Sequence, residues 1–323
     1  MGEIAYHDTV NELHGLGLCG KGPFARVEWF AALEAAGARA FLPMARDSSG
    51  TIVLPLMRGA KGLEVLTNWY AFTWAPLESA GASPDLLDLL ARSLRSHVLT
   101  LSKLDEATAD RLAATFRRAG FFVRRDICDT NHFLAIDGRS FAEYLASRPG
   151  ALRTTLKRKA KKVVVRLSRR FDADDWAAYE AIYAASWKPA EGDPALLRAF
   201  AKQESARGHY LFGMALADGQ PVAAQFWSVE DGTAYIHKLA HLPAAEALSP
   251  GTTLTAALME QVIDRDRVAE VDFGTGNDSY KADWMDAVRP RFALTCIHPA
   301  APRHWPLLAK ALIRNLVSPP SDD

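Results

Sequence analysis

The sequence has few cysteines, and their spacing matches neither a disulfide framework nor a metal site. Cys19, Cys128 and Cys296 lie far apart in a chain of 323 residues, with no Cys-x-x-Cys pair. Such thiols are typical of free, mostly buried side chains in a reducing compartment. The nine histidines also lack ligand spacing, and there is no Walker loop or Gly-x-Ser-x-Gly elbow. We therefore expect no metal, no P-loop and no serine-hydrolase chemistry.

Two further features are missing: an excess of one charge and a long apolar run. Lys plus Arg and Asp plus Glu number 38 each, so no overall field favours nucleic acid. No stretch of about 18 apolar residues could span a bilayer, and the first residues lack the basic start and apolar run of a leader. With 49% hydrophobic and 24% charged residues, the composition predicts a cytoplasmic globular protein of about two domains.

Three short apolar runs between residues 209 and 241 form the clearest structural pattern. Asp218-Gly219 and Asp231-Gly232 separate them, and such turns between apolar runs predict an antiparallel meander. A helical pattern follows from residue 250, then a short strand over 270–273 and a turn at Gly274. The order predicts an α/β fold with a mixed sheet.

The start of the helix at residue 250 has features of an anion site. Ser249 is a candidate N-cap and Pro250 a favoured first residue. Gly251, Thr252 and Thr253 would then offer backbone N–H groups without intrahelical partners, and Gly251 would permit close approach. The alternative is an ordinary capped helix that binds nothing.

The residues 248–252 (Leu-Ser-Pro-Gly-Thr) and 272–281 (Asp-Phe-Gly-Thr-Gly-Asn-Asp-Ser-Tyr-Lys) resemble a known family. In this layout they look like the acyl-CoA N-acyltransferase (GNAT) superfamily, in its FemAB-like branch. More narrowly, they resemble the acetyltransferase family of bacterial cellulose and exopolysaccharide biosynthesis. The resemblance extends to 67–70 and to the basic segment near Arg158. The loop has one glycine where ordinary GNAT enzymes have two.

The resemblance implies tandem GNAT-like domains in a FemAB-like architecture. Residues 1–136 would be a degenerate N-terminal domain without a phosphate loop, and residues 137–302 the C-terminal GNAT domain. Residues 303–323 would be an amphipathic helix and a disordered end, Ser318–Asp323. The implied co-substrate is acetyl-CoA or a longer acyl-CoA, with no metal. On this reading the donor site comprises Leu239, Ser249, Gly251, Thr252, Thr253 and Asn277.

Amine acylation needs a base for the amine and an acid for the leaving thiolate. Alternation along residues 233–241 predicts His237, Leu239 and His241 on one face and Lys238 on the other. His237 or His241 could be the base, or a hydrogen-bonded core histidine. Asp272 could be catalytic or could cap the Gly274 turn. In GNAT enzymes a tyrosine often lies near the CoA sulfur, and Tyr280 matches it.

The acceptor is predicted to lie between the two domains. Trp69 and Tyr70 would line a wall there, or belong to the core. Lys281 would lie near phosphate or pair with Asp272. The acceptor residues are predicted to be Trp69, Tyr70, Arg158, Lys159, Lys238, His241 and Lys281.

Residues 151–170 contain nine Lys or Arg and no acidic residue. They are predicted to form a basic helix, which could be a solvated face or could bind an anionic acceptor or a membrane surface. Nucleic acid is disfavoured because aromatic residues are not interleaved. The helix over 303–317 is expected to pack onto the body rather than touch a membrane.

The predicted function is acyl-CoA-dependent acylation of a primary amine, with an amino sugar of envelope polysaccharide as first acceptor. N-acylation of a long-chain (sphingoid or lipid) amine is the second alternative, on a lipid-linked acceptor at the inner face of the membrane. FemAB-type aminoacyl transfer is a third, disfavoured by the lack of a coiled-coil arm. A degenerate GNAT scaffold that only binds is the non-enzyme alternative.

Overall fold

The computed structural model divides the chain into two compact units. One comprises Met1–Thr130 with Pro290–Asp323, and the other Asn131–Arg289. The structure describes the backbone of residues 2–317 and the side chains of residues 2–313, so the predicted disordered end lies outside the described residues. The predicted second domain extended to residue 302, whereas the chain after residue 290 belongs to the first unit. The functional division into domains stays a prediction.

The secondary structure alternates between strands and helices in both units. The elements up to residue 135 are β1 Glu3–His7, β2 Leu18–Cys19, α1 Val27–Ala35, β3 Ala40–Asp47, β4 Gly50–Val53, β5 Leu56–Gly59, β6 Gly62–Val65, β7 Leu77–Ser79, α2 Asp85–Ser93, β8 Val98–Leu104, α3 Glu106–Arg118 and β9 Phe122–Ala135. The remaining elements are α4 Phe141–Ala146, α5 Gly150–Lys159, β10 Val164–Ser168, α6 Ala173–Ala185, α7 Pro194–Ala206, β11 Tyr210–Ala217, β12 Gln220–Glu230, β13 Thr233–His241, α8 Pro250–Glu260, β14 Glu270–Thr275, β15 Ala287–Ile297 and α9 Trp305–Val317. Among described residues, no helix is both long and apolar enough to cross a membrane.

The sheet of the first unit runs in the order β15-β8-β6-β5-β3-β4-β7-β2, with β1 also paired to β3. Its pairs are antiparallel except β6–β8. Leu54 and Pro55 separate the strands β4 and β5. The strand β9 is continuous over Phe122–Ala135.

The second unit has a six-strand order, β10-β11-β12-β13-β14 and then residues 131–135 of β9. The predicted meander is confirmed as β11, β12 and β13, and the α/β fold class with a mixed sheet is confirmed with it. The neighbouring β12 residues Gln225 and Phe226 show how helices cover the sheet. Gln225 donates to α8, while Phe226 contacts Trp176 of α6 and Phe200 of α7. Since successive strand residues face opposite sides, α8 covers one face and α6 and α7 the other.

The prediction of a continuous basic helix over 151–170 is wrong. The helix α5 ends at Lys159, and Val164–Ser168 form the edge strand β10 against β11. The three successive valines 163–165 favour a strand, since β-branched side chains fit a pleated surface better than a helix. Arg166 pairs with Asp175, and Arg169 with Asp266, so two of the nine cations are neutralised locally.

Gly213 of β11 allows α8 to lie close to the sheet. A Cβ there would be 2.8 Å from Leu254 Cδ1 and 3.1 Å from Leu258 Cδ1, both on α8. We expect Gly213→Ala to lower the free energy of unfolding by about 1 kcal/mol, because packed leucines must shift. Gly150→Ala is the matched control, since its nearest such contact is 4.0 Å away. That change should be neutral or stabilising by up to about 1 kcal/mol. Urea denaturation tests both, and equal effects would contradict the close packing.

Candidate active site

The strands β13 and β14 separate shortly after they pair. Their parallel ladder joins Thr233, Ala234 and Tyr235 to residues 270–272. Among the described residues, positions 236–241 of β13 have no strand partner on that side. The backbone N–H and C=O groups of this stretch that point away from β12 are therefore available to a ligand. We call this gap between residues 236–241 and β14 the β13–β14 opening.

A β-bulge in β13 lies beside this opening. Phe226 pairs with Lys238 and Trp227 with Ile236, so His237 is the extra residue. His237 contacts Phe200 of α7, while Lys238 lies 5.3 Å from the Tyr183 ring of α6. The predicted alternation, with His237 and Lys238 on opposite faces, is therefore wrong, because a bulge breaks the two-residue period.

His237 is held among aromatic rings. Its Nε2 is 2.7 Å from Ser228 Oγ, and its ring lies 4.9 Å from that of Phe226 and 5.0 Å from that of Phe200. These contacts fit the core-histidine alternative in the sequence prediction. A catalytic role for His237 has no support from this geometry.

The start of α8 differs from an ordinary capped helix. Ser249 occupies the predicted N-cap position, but it is in the left-handed region (φ 51°, ψ 50°) and its side chain makes no capping hydrogen bond. Instead, Lys159 Nζ donates to Ser249 Oγ at 3.0 Å. Thr253 Oγ1 is buried with no hydrogen-bond partner among described residues. A helix N-terminus, a nearby ammonium and a buried unpaired hydroxyl together suit an anionic ligand.

Gln225 of β12 fixes the first turn of α8, a role that the sequence did not reveal. Its Nε2 donates to Thr255 Oγ1 at 2.7 Å and to the Gly251 carbonyl at 3.3 Å. Its Oε1 accepts from Trp227 Nε1 at 2.9 Å. Gly251 also lies beside β13, because a Cβ there would be 3.4 Å from His241 Nδ1. The bulged strand and the helix start are thus held together by buried hydrogen bonds.

His241 connects the helix start to the loop after α6. Its ring lies 4.4 Å from that of Trp187. Burial lowers the pKa of His241, and the charge of Lys188 lowers it further, although Glu246 opposes them. The imidazole is therefore neutral at neutral pH and able to accept a proton.

Three lysines gather near these groups, and we call them the lysine cluster: Lys188, Lys238 and Lys281. Lys238 is buried and donates to Glu191 Oε1 at 2.9 Å. Burial lowers the pKa of Lys188 to about 8, and the charges of Lys238 and Lys281 lower it as well. No carboxylate of the described residues forms an ion pair with Lys188. Lys188 and Glu191 are functional candidates that are absent from the predicted site residues. Both lie in a loop that contains Pro and Gly, where no periodic pattern indicates which side chains face the site.

A cavity of about 210 Å³ lies between α6, α7 and the loop that joins them. Its walls are Tyr179, Glu180, Tyr183, Glu191, Pro194 and Leu197. Glu191 joins the cavity to Lys238. The cavity is mostly apolar, with a charged pair at one wall, a pattern common in small-molecule sites.

Asp272 lies in a buried structural network. Its Oδ1 accepts from the Gly274 N–H and from Asn131 Nδ2, both at 2.7 Å, and its Oδ2 accepts from Arg289 at 2.9 Å. Asn131 Nδ2 also donates to the Gly274 carbonyl at 2.8 Å. The carboxylate therefore holds the turn after β14. This is the structural role that the sequence allowed for Asp272 as the alternative to catalysis.

The residues after this turn remain partly accessible. A short 3-10 helix, Ser279–Asp283, follows it. Lys281 Nζ donates to the carbonyls of Thr275 at 2.5 Å and Gly276 at 3.2 Å and lies 3.7 Å from Asp278 Oδ2, while its pairing with Asp272 or with phosphate stays a prediction. Asn277 Oδ1 lies 2.9 Å from His132 Nε2. Burial raises the pKa of Tyr280 to about 12, so its phenol stays protonated at neutral pH.

The other predicted acceptor residues are spread over both units. Arg158 is exposed on α5 of the second unit. In the first unit, Tyr70 is buried and belongs to the core, while Trp69 is 54% exposed with its ring 4.6 Å from that of Tyr70. Lys103 Nζ holds this segment through the carbonyls of Asn68 (2.5 Å) and Ala71 (2.8 Å). An acceptor role for Trp69 and Arg158 stays a prediction.

Asp272→Asn distinguishes a structural carboxylate from a catalytic one. We expect the free energy of unfolding to fall by about 1–3 kcal/mol, because the charged bond to Arg289 is lost. The kcat of the folded enzyme should change only a few-fold. Asn131→Ala, which cuts the same network, should behave alike in urea denaturation. Unchanged stability with a kcat loss of about a hundredfold would instead mark Asp272 as catalytic.

Lys188 should give the protein a specific pH dependence. Its pKa of about 8 lies below the ordinary value of 10.5, so the unfolded chain binds more protons between these values. Stability contributed by this residue therefore rises as the pH increases from about 8 towards 10.5. In urea denaturation across that range, Lys188→Met should show a smaller rise than the parent. Parallel curves would contradict the burial of an ammonium there.

The comparisons with known proteins agree with this geometry. Residues 150–282 match the family model described as an acetyltransferase (GNAT) domain. Among curated proteins, none matches the sequence. The matched segment contains the bulge, the start of α8 and Tyr280.

Several solved structures share the fold of most of the chain. FemX has a TM-score of 0.64 at 10% identity, covering 94% of this chain and 99% of that one. A conserved protein of unknown function from Bacteroides thetaiotaomicron has a TM-score of 0.60 at 10% identity, covering 91% of this chain and 100% of that one. The L-PGS of Bacillus licheniformis has a TM-score of 0.57 at 10% identity, covering 88% of this chain and 91% of that one. At these identities the likeness concerns the fold alone. The chain thus has the fold of FemX, and the match of residues 150–282 to an acetyltransferase (GNAT) domain supports an acyltransferase.

Proposed function

We propose that the protein transfers an acyl group from acyl-CoA to a primary amine at the β13–β14 opening. The observation that carries the proposal is the contact between this opening and the start of α8, where Gly251 and His241 meet. Both parts lie within the residues matched to an acetyltransferase domain.

The start of α8 would bind the phosphate groups of the donor. The backbone N–H groups of Gly251 and Thr252 lie in the first turn, where N–H groups lack intrahelical acceptors. Lys159 Nζ, 3.0 Å from Ser249 Oγ, supplies a positive charge, and Thr253 Oγ1 a free hydroxyl. This assigns Lys159 to the donor, whereas the sequence had suggested the acceptor. Leu239 and Asn277 remain proposed donor contacts.

The remaining steps need a polarised carbonyl and two proton transfers. Backbone N–H groups of residues 236–241 that face the opening would polarise the thioester carbonyl. His241, neutral at neutral pH, would take the amine proton as the C–N bond forms. The C–S bond breaks as the tetrahedral intermediate collapses, and the Tyr280 phenol would give its proton to the departing thiolate.

The acceptor we propose first is an amino sugar of envelope polysaccharide, the substrate class suggested by the family resemblance. The lysine cluster supports an acceptor that carries an anionic group, such as a sugar phosphate, because no carboxylate of the part of the chain that the structure describes pairs with Lys188.

A long-chain amine is the second candidate. The mostly apolar cavity between α6 and α7 favours it, since Tyr183 and Leu197 could bury an alkyl chain next to Glu191. Aminoacyl transfer is a third candidate, because the structural neighbours include FemX and L-PGS. Thiol release from acetyl-CoA with glucosamine phosphates or with sphinganine distinguishes the first two. Activity only with aminoacyl-tRNA would overturn both.

The donor site is tested by two substitutions of equal size at one position. Gly251→Asp adds bulk and negative charge at the helix start, whereas Gly251→Asn adds only the bulk. We expect Gly251→Asp to abolish acetyl-CoA binding in calorimetry, because the negative charge repels phosphate. The affinity of Gly251→Asn for acetyl-CoA should be at least about tenfold higher than that of Gly251→Asp. Circular dichroism checks that both variants fold. Parent-like affinity in Gly251→Asp would refute a phosphate site here.

Lys159 and Arg158 form a second matched pair, since they are adjacent cations on α5. Lys159→Met should raise the Kd of acetyl-CoA about tenfold to a hundredfold, because a charged contact to phosphate is worth roughly 1.5–3 kcal/mol. Arg158→Met should leave donor affinity unchanged, since Arg158 is exposed. If both substitutions weaken the donor equally, only the overall charge of the segment matters.

Tyr280→Phe removes the hydroxyl and keeps the ring, which packs 5.7 Å from Phe273. We expect kcat to fall about a hundredfold with donor affinity unchanged, because the thiolate loses its acid. Steady-state kinetics and calorimetry measure the two effects separately. A loss of donor affinity would instead give Tyr280 a positioning role, and parent-like kcat would mean that solvent protonates the thiolate.

A further inference from the structure

The C-terminal helix α9 exposes large apolar side chains to solvent. Trp305 is 59% exposed, Leu312 46% and Ile313 62%, and Leu307 is 39% exposed. At 100° per residue, Trp305, Leu308 and Leu312 share one face of the helix and Lys310 lies on the opposite face. The expectation that this face packs onto the body is therefore wrong for Trp305 and Leu312.

The base of the helix is attached firmly to the first unit. Trp305 Nε1 donates to the Pro299 carbonyl at 2.8 Å, and Arg303 donates to the carbonyl of Ser96. The apolar face is thus held in place outside the core.

Charge distinguishes between the partners that could cover this face. The described residues 302–313 contain Arg303 and Lys310 and no acidic residue. Two copies of α9 packed against each other would bring these cations together without carboxylates to pair them. An anionic bilayer supplies both an apolar layer and negative charge, and Trp is favoured at that boundary.

We propose that α9 lies on the surface of an anionic phospholipid bilayer, with Trp305, Leu312 and Ile313 in the interface. With 13 residues it is shorter than the roughly 20 needed to span a bilayer, so it lies in the interfacial plane. This orientation keeps the basic side chains near lipid headgroups, as in interfacial amphipathic helices. The proposal is independent of the acyl-transfer reaction.

The test is co-sedimentation of the full chain with vesicles of phosphatidylcholine alone or mixed equally with phosphatidylglycerol. The parent should bind the mixed vesicles, with weaker binding to phosphatidylcholine and at high salt. Leu312→Glu with Ile313→Glu should reduce binding about tenfold or more, since apolar contact is lost. Ile127→Glu with Val288→Glu is the control, because both are exposed apolar strand residues (53% and 57%) and the pair receives the same added charge. It should bind like the parent.

Other outcomes would overturn the proposal. If light scattering shows a dimer that becomes monomeric in Leu312→Glu with Ile313→Glu, and vesicles are not bound, a second copy of the chain covers the face. If vesicles are not bound and that variant melts lower than the Ile127→Glu with Val288→Glu control, the face packs on the body. Equal losses in both variants would mean that added negative charge alone reduces binding.

Discussion

The early separation of β13 from β14 is the constraint on which the proposed site depends. Parallel pairing stops at Tyr235 and Asp272, and the bulge at His237 bends the strand just beyond. A bulge leaves backbone groups unpaired and increases local twist. Backbone polar groups left without a ladder partner must be satisfied by water or by a ligand. The fold therefore supplies a polar opening between two strands that are paired at their other ends.

Two buried networks keep this opening in shape, one on each side. On the β14 side, Asp272, Asn131 and Arg289 hold the Gly274 turn. On the β12 side, Gln225 ties Trp227 to the first turn of α8. Fully satisfied buried networks give rigidity, because breaking one bond leaves a desolvated polar group. The roles we propose in the chemistry belong to groups outside these networks, His241, Tyr280 and the lysine cluster.

Local sequence patterns predicted much of the second unit. The Asp-Gly turns predicted the meander, and the Ser-Pro-Gly-Thr segment predicted a helix beginning at Pro250. Errors arose where tertiary pairing overrides local preference. The sequence predicts a helix over the basic residues 151–170, whereas Val164 and Val165 belong to the edge strand β10, which pairs with β11. Strict alternation failed in β13, since a bulge is set by the partner strand and has no single-residue signature.

The residues around the site were harder to predict than the elements that carry them. Gln225, Asn131 and Glu191 are ordinary polar residues in the sequence, and only long-range packing reveals their partners. The family resemblance assigns Lys159 to the acceptor, whereas its ammonium donates to Ser249 Oγ, 90 positions along the chain. Such contacts depend on how distant segments meet.

Hydrogen exchange measured by mass spectrometry, with and without acetyl-CoA, tests the central claim most directly. If the donor lies in the β13–β14 opening with its phosphates at α8, amides of residues 236–241 and 251–255 should exchange more slowly in its presence. Peptides from β8 should be unaffected. Protection confined to other segments, or none at saturating acetyl-CoA, would contradict the account.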